Sequence, residues 1–304
     1  MRFGIALPNY GPLAEPATLV RLARRAEALR VDSVWVSDHL VAPVGVRSIY
    51  PYDRRPDAKP GDMGVIERFY EPLTTLAYLA GTTSRVRLGV SAYVVPYRNP
   101  VVTAKQVATL DSLSGGRLVL AVGSGWLEEE FDALAVPFAA RGRRTEEYLA
   151  VCKALWAGGE ARYEGRHYRL RPVRTGPLPA QRPHPPLWIA GNSRTAIERA
   201  ARLGDGWHAI DLSPAELRPM VDLLRERAAA HGRAPDAVTV TLRKGVLPGG
   251  AAGRPLYGDA AAIRRDLEAY RAAGLGYLVA GLRQAQGADD LERALADVAA
   301  ALGG

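Results

Sequence analysis

Short β-rich runs and amphipathic helical stripes alternate along this chain eight times, and that alternation constrains its fold more than any other feature. Strands that are each followed by a helix call for a parallel sheet covered by helices. The strand runs are Phe3 to Leu7, Val34 to Val36, Val86 to Val90, Leu118 to Val122, Leu187 to Ala190, Gly206 to Ala209, Val238 to Leu242 and Tyr277 to Ala280. Helical stripes separate them. Leu19, Leu22, Ala23 and Ala26 form the first, and the next run over Pro72 to Thr82, Pro100 to Leu113, about Arg143 to Trp156 and Arg194 to Leu203. Leu217, Met220, Val221 and Leu224, then Ile263, Leu267 and Tyr270, then Leu291, Leu295, Val298 and Leu302 complete the set. Eight units in 304 residues predict a (β/α)8 TIM barrel occupying residues 1–304 as a single domain. A doubly wound open sheet is the competing α/β arrangement, because strand count does not prove closure.

Two segments interrupt the rhythm. Residues 41–70 carry no helical period and hold Pro43, Tyr50, Pro51, Tyr52, Pro56 and Pro60. A structureless stretch longer than about 12–15 residues is usually a lid or disordered. Because it directly follows a polar strand end, it reads as a substrate lid. Residues 158–186 read as a hairpin around Tyr163 to Tyr168 with a Pro-rich return, a structural insertion.

Composition excludes several classes. The formal charge is +8, almost wholly from arginine, since Lys59, Lys105, Lys153 and Lys244 are the only lysines. The arginines are dispersed along helix faces, so they read either as solvated charge or as provision for an anionic small molecule, and not as a nucleic-acid footprint. Cys152 is the only cysteine and sits in a helical stripe with Tyr148, Val151 and Leu155, which predicts a packed core thiol. No run approaches the ~20 apolar residues of a membrane span, and the N-terminal run is too short for a signal peptide. A soluble, cytoplasmic protein with no membrane partner is expected.

The chemistry concentrates at strand ends. Val34-Trp35-Val36 stops on Ser37-Asp38-His39, and in parallel α/β folds ligands sit outside the carboxyl ends of the strands. Ser91 and Ala92 follow the third strand, Gly123, Ser124 and Gly125 the fourth, and Gly191, Asn192 and Ser193 the fifth. Small residues let a flat ring approach the backbone, and Gly-Asn-Ser at a helix start is a natural anion seat. The set describes a barrel mouth for a planar, phosphate-bearing cofactor without naming it. Stock motifs are missing: Gly123-Ser124-Gly125 is followed by Glu128 where a dinucleotide fingerprint needs glycine, and no GxxxxGK, HExxH or GxSxG occurs. His39, His167, His184, His208 and His231 have no ligand spacing, so no metal is expected. Glu128-Glu129-Glu130 opens a helix whose positive end favours acids, and a structural role suffices for it.

The chain resembles the bacterial luciferase-like superfamily of (β/α)8 flavin and deazaflavin enzymes, and looks most like its coenzyme F420-dependent branch. The resemblance rests on Gly4 to Tyr10, Trp35 to His39, Arg87 to Val90, Pro96 to Pro100, Thr109 to Asp111, Ser114 to Arg117, Val122 to Trp126, Pro185 to Ser193 and Ala201 to Trp207. It implies that Asp38 and His39 face the reactive centre of the ring, with His39 as proton donor or acceptor. It also implies a cis Ser91–Ala92 peptide backing the ring, Gly123 and Ser124 along the ring or its side chain, and Gly191-Asn192-Ser193 at the phosphate. Where some deazaflavin relatives carry a catalytic glutamate, this chain has Trp126, which leaves His39 to act alone or with a lid residue. The implied activity is hydride transfer between coenzyme F420 and a small organic substrate. The alternative is an FMN-dependent monooxygenase served by a separate reductase, and a cofactor-storing binding protein is a third reading. Relatives are commonly homodimers.

Overall fold

Local signals decide where the helices start. Proline occupies the first turn of α1 (Pro16–Ala28), α2 (Pro72–Ala80) and α3 (Pro100–Leu113), where its missing N–H has no intrahelical partner to lose. The short α4 (Glu128–Ala133) carries three acids in its first turn, and α5 (Arg141–Trp156) follows. Ser193, Ser213 and Asp259 cap α6 (Arg194–Leu203), α7 (Pro214–Ala230) and α8 (Ala260–Ala272), each side chain accepting a backbone N–H of the first turn. The last helix is α9 (Ala288–Gly303). The computed structural model describes residues 1–55, 57–61, 67–250, 256–283 and 285–303, so Pro56 and residues 62–66 of the expected lid lie outside the described residues.

The strands are β1 (Arg2–Ala6), β2 (Ser33–Val36), β3 (Arg87–Val94), β4 (Leu118–Gly123), β5 (Ala161–Glu164), β6 (Arg169–Val173), β7 (Leu187–Ala190), β8 (Gly206–Ile210), β9 (Thr239–Gly245), β10 (Leu247–Pro248), β11 (Tyr257–Gly258) and β12 (Tyr277–Gly281). Eight of them close a parallel barrel in the order β1-β12-β9-β8-β7-β4-β3-β2, which settles closure against the open sheet. The expected hairpin is present as antiparallel β5 and β6, held against α5 by Glu147, whose carboxylate accepts the N–H groups of Arg166, His167 and Tyr168. Cys152 is packed in the core as expected, and burial pushes its thiol up to about 12. No described helix is long and apolar enough to cross a membrane.

Five strands run further toward their carboxyl ends than their apolar runs suggested, β4, β8 and β12 by one residue and β3 and β9 by three or more, and the two longer extensions shape the mouth. β3 continues through Ser91 and Ala92 to Val94, with a register shift between Ser91 and Tyr93. Ser91 and Ala92 therefore lie within the strand at an irregularity, not after it, and the bond between them is cis. β9 extends past Leu242 and carries Arg243 and Lys244 in the barrel wall.

One cluster of side chains packs between sheet and helices, and a second fills the barrel itself. The interior cluster is aromatic. Trp35 stacks on Trp188 at 5.1 Å and on His208 at 5.9 Å between centroids, with Tyr277 at its edge. Gly89 makes room for it, since a Cβ there would lie 2.3 Å from the indole. His208 is wholly buried, with Nδ1 on Thr241 Oγ1 and Nε2 on Ser91 Oγ. Because Thr241 donates its own proton to the Trp207 carbonyl, it accepts from Nδ1–H, which in the neutral ring leaves Nε2 to accept the Ser91 hydroxyl. Burial, then the neighbouring Arg243, push the His208 pKa down to about 3. This layer is the floor of the mouth.

Candidate active site

Asn9 fixes how β2 leaves the barrel. Its fully buried amide accepts the Ser37 N–H at 2.8 Å and donates to the Ser37 and Tyr70 carbonyls, both at 2.9 Å. Asp38 and His39 then depart in opposite senses. Asp38 turns into the wall, where both its oxygens accept from the Arg98 guanidinium at 2.8 Å and one also accepts the Val94 N–H. Burial pushes this carboxyl up, while Arg98 and the Val94 N–H pull it back. Arg98 reaches on to Glu71 and lies over the Tyr93 ring. Asp38 was expected to face a bound ring beside His39; its side chain is instead turned to Arg98 and Val94 and makes no hydrogen bond to His39, although the two remain close enough for the imidazole to act on its charge.

The carboxylate that serves His39 is Glu130. It lies on the inward face of α4 with no exposure, and its Oε2 is 2.7 Å from His39 Nδ1. The same carboxylate accepts the Tyr97 hydroxyl at 2.7 Å and the Leu40 N–H. Burial raises its pKa, but the hydrogen bonds from His39, Leu40 and Tyr97 outweigh burial and hold it below the ordinary glutamate value. Glu130 is thus an acceptor-only carboxylate, and His39 Nδ1 donates to it. The imidazole stands edge-on to Phe69 at 5.3 Å and Trp126 at 6.2 Å, and its Nε2 has no hydrogen-bond partner among the described residues. The side-chain hydrogen-bond partner of His39 is therefore Glu130 and not a lid residue. The purely structural reading of the three glutamates holds for Glu128, which is exposed, and fails for Glu130. Glu129 is engaged too, accepting from the backbone and hydroxyl of Ser48.

The remaining expected residues divide. Ala92 and Gly123 face each other, and a Cβ added at Gly123 would fall 3.5 Å from that of Ala92, an ordinary contact. Ser91 turns its hydroxyl down to His208. Ser124 points outward, its hydroxyl held by Thr145 at 3.1 Å and Arg199 at 3.4 Å, so its side chain faces α5 and α6. Gly191 takes φ +128°, which favours glycine, and Asn192 is clamped by its amide to both backbone groups of Ile210. Ser193 Oγ caps α6 by accepting the Ala196 N–H.

Residues 41–55 cross this mouth from one side to the other. Arg47 and Ser48 dock on Glu129, Tyr50 stands against Trp126 at 5.1 Å, and the Tyr52 hydroxyl rests beside the Gly191–Asn192 peptide. Arg54 reaches Glu216 at 2.9 Å and Asp211 at 3.6 Å on the far rim. Phe69, near the end of the same segment, stacks on Tyr10. Among the described residues no three His, Cys, Asp or Glu side chains converge as a metal site.

A histidine–carboxylate pair at a barrel mouth under a crossing loop can be compared with known proteins. The chain is 33% identical over 168 residues to the FMNH2-dependent dimethylsulfone monooxygenase of Pseudomonas putida, a match spanning 54% of this chain and only 46% of that protein. Its backbone superimposes on a monooxygenase from Streptomyces bottropensis with TM-score 0.80 at 23% identity, covering 99% of this chain and 98% of that one. It also superimposes on the coenzyme F420-dependent tetrahydromethanopterin reductase of Methanopyrus kandleri, with TM-score 0.77 at 18% identity and coverage of 98% and 97%. At these identities the two structures speak for the fold. The family profile described as luciferase-like monooxygenase matches residues 1–300, and the chain belongs to that family of oxidoreductases and monooxygenases.

Proposed function

We propose that this protein is a coenzyme F420-dependent oxidoreductase acting on a small organic substrate. The observation that carries the reading is the His39–Glu130 pair. Glu130 occupies Nδ1, so Nε2 is the nitrogen left to exchange a proton at the mouth. The buried carboxylate stabilises the ring when it becomes charged, and such positioned proton transfer contributes roughly 10²–10⁴-fold in rate.

The chain's own groups fit a ring with an anionic tail. Ala92 and Gly123 present a wall poor in side chains, and the N-terminus of α6 offers backbone N–H groups at Asn192 and beyond. When bound there, the deazaflavin supplies a hydride-carrying carbon. Tyr50, Trp126 and Phe69 are the groups that exclude water around His39, and residues 41–55 serve as the substrate lid. Tyr52 must leave the Gly191–Asn192 peptide before a phosphate is seated.

A second reading, an FMNH2-dependent monooxygenase fed by a separate flavin reductase, is supported by Trp126 and by the activity of the Pseudomonas putida relative. Trp126 adds an apolar wall where a glutamate would add a second proton group. Fluorescence titration with coenzyme F420 and with FMN, oxidised and reduced, separates the two. The first reading expects F420 to bind at least about tenfold more tightly, about 1.4 kcal/mol. Tight binding of FMN with none of F420 transfers the assignment to the second.

A further inference from the structure

Arg243 lies on β9, and the barrel order puts β9 diametrically opposite β3. Its side chain spans the mouth and lays Nη1 against the Ser91 carbonyl, with Ser37 Oγ at 3.1 Å and Ser91 Oγ at 3.4 Å. All three acceptors are neutral oxygens, and all three meet one nitrogen of the guanidinium. Nη2 and Nε make no hydrogen bond among the described residues, and no carboxylate there pairs with this arginine. The acids around the mouth are engaged elsewhere: Asp38 with Arg98, Glu130 with His39, and Asp211 with Lys244 at 2.6 Å. Below the guanidinium lies the neutral, wholly buried His208.

A partly buried cation held only by neutral acceptors is costly unless something anionic completes it. A guanidinium fixed through one nitrogen still presents the rest of its planar fork, the geometry that matches a carboxylate or a delocalised oxyanion. We infer that Arg243 is an oxyanion receptor at the floor of the mouth, holding the planar anionic oxygens of the bound ligand between β9 and the β2–β3 wall. That chemistry has two sources, a carboxylate or sulfonate on the substrate, or the anionic dione edge of a reduced tricyclic ring. Only the second source rests on the function proposed above.

The test uses the whole protein, its Arg243→Gln variant, and two sets of probes. In the first arm, acetate and methanesulfonate are titrated against tryptophan fluorescence. Millimolar saturation by the unsubstituted protein that weakens at least about tenfold in the variant supports a substrate anion as the source. In the second arm, the oxidised and reduced forms of coenzyme F420 and of FMN are compared under anaerobic conditions. A preference for the reduced form that collapses in the variant, with oxidised affinity kept, supports the ring. Equal behaviour of both proteins in both arms overturns the inference and makes Arg243 a strut across the barrel. Arg243→Lys keeps the charge without the fork, so it should fold and still lose most of the effect. Affinities equal to those of the unsubstituted protein in that variant overturn the inference even where Arg243→Gln fails to fold. Arg243-dependent acetate binding in a protein that takes neither F420 nor FMN would refute the proposed function and leave this receptor standing.

Discussion

Asp38 and His39 are neighbours in sequence and meet opposite fates. Asp38 forms a buried, two-pronged pair with Arg98, and His39 forms a single short contact with the buried Glu130. The contact distances are nearly alike, 2.8 Å and 2.7 Å, so geometry does not separate the two pairs. Their cations do. A guanidinium does not release its proton in any accessible range, whereas an imidazole can donate or accept one at either ring nitrogen. The first pair therefore rivets β2 to the end of β3, and the second is the one that the proposed function assigns to a proton. The comparison teaches that an acid beside a histidine in sequence is no guide to the acid beside it in space.

The contrast can be broken by substitution. His39→Asn should lower turnover by roughly 10²–10⁴-fold while leaving cofactor affinity within a few-fold and the melting temperature close to unsubstituted. Turnover at the original rate would remove the proton role. Glu130→Gln should show a smaller loss together with a displaced pH–rate profile, because the hydrogen-bond partner stays while the charge goes. Asp38→Asn should instead act on stability, costing roughly 3–5 kcal/mol in urea unfolding, since Arg98 is left in the wall with half a partner. A stable Asp38→Asn protein that has lost turnover would reverse the assignment of the two acids.

The barrel's other mouth histidine sharpens the point through pH. His208 is neutral when folded, with a pKa of about 3, and takes up a proton near 6.5 when unfolded. The unfolded state binds the extra proton in that window, so His208's contribution is complete above about pH 6.5 and is lost as pH falls toward 3, at about 1.4 kcal/mol per pH unit. His208→Asn should remove that slope from a series of unfolding curves, and His39→Asn should retain it. The smallest effect belongs to the crossing loop. Arg54 pairs with Glu216 in solvent, each side chain being nearly half exposed. Arg54→Ala should therefore change stability by less than about 1 kcal/mol, with any larger consequence confined to ligand on- and off-rates.

Most strand cores were legible because a strand buried on both faces is a short apolar run with few alternatives, as in Leu187–Ala190 and Leu118–Gly123. Their ends were not. β3 carries on through Ser91-Ala92, and β9 through Arg243, because pairing to a neighbouring strand continues where hydrophobicity stops. Glu130 was hidden for a different reason. Acids in a first helical turn have a sufficient local explanation, and only the burial of one face of α4 distinguishes Glu130 and Phe131 from Glu128. One signal was available, since the third glutamate sits beside a large apolar residue that must face inward.

The sequence by itself determined the α/β alternation, the strand-end location of the candidate site and the identity of His39 as a mouth residue, all of which depend on periodicity and local termini. Tertiary structure alone decided the partners. Which carboxylate meets His39 follows from the lateral pairing of β2, β3 and β4 with α4 docked beyond them, and which oxygens meet Arg243 follows from closing eight strands into a ring. Strand pairing brings residues 91 positions apart into contact at His39, and closure brings residues 152 positions apart into contact across the mouth at Arg243.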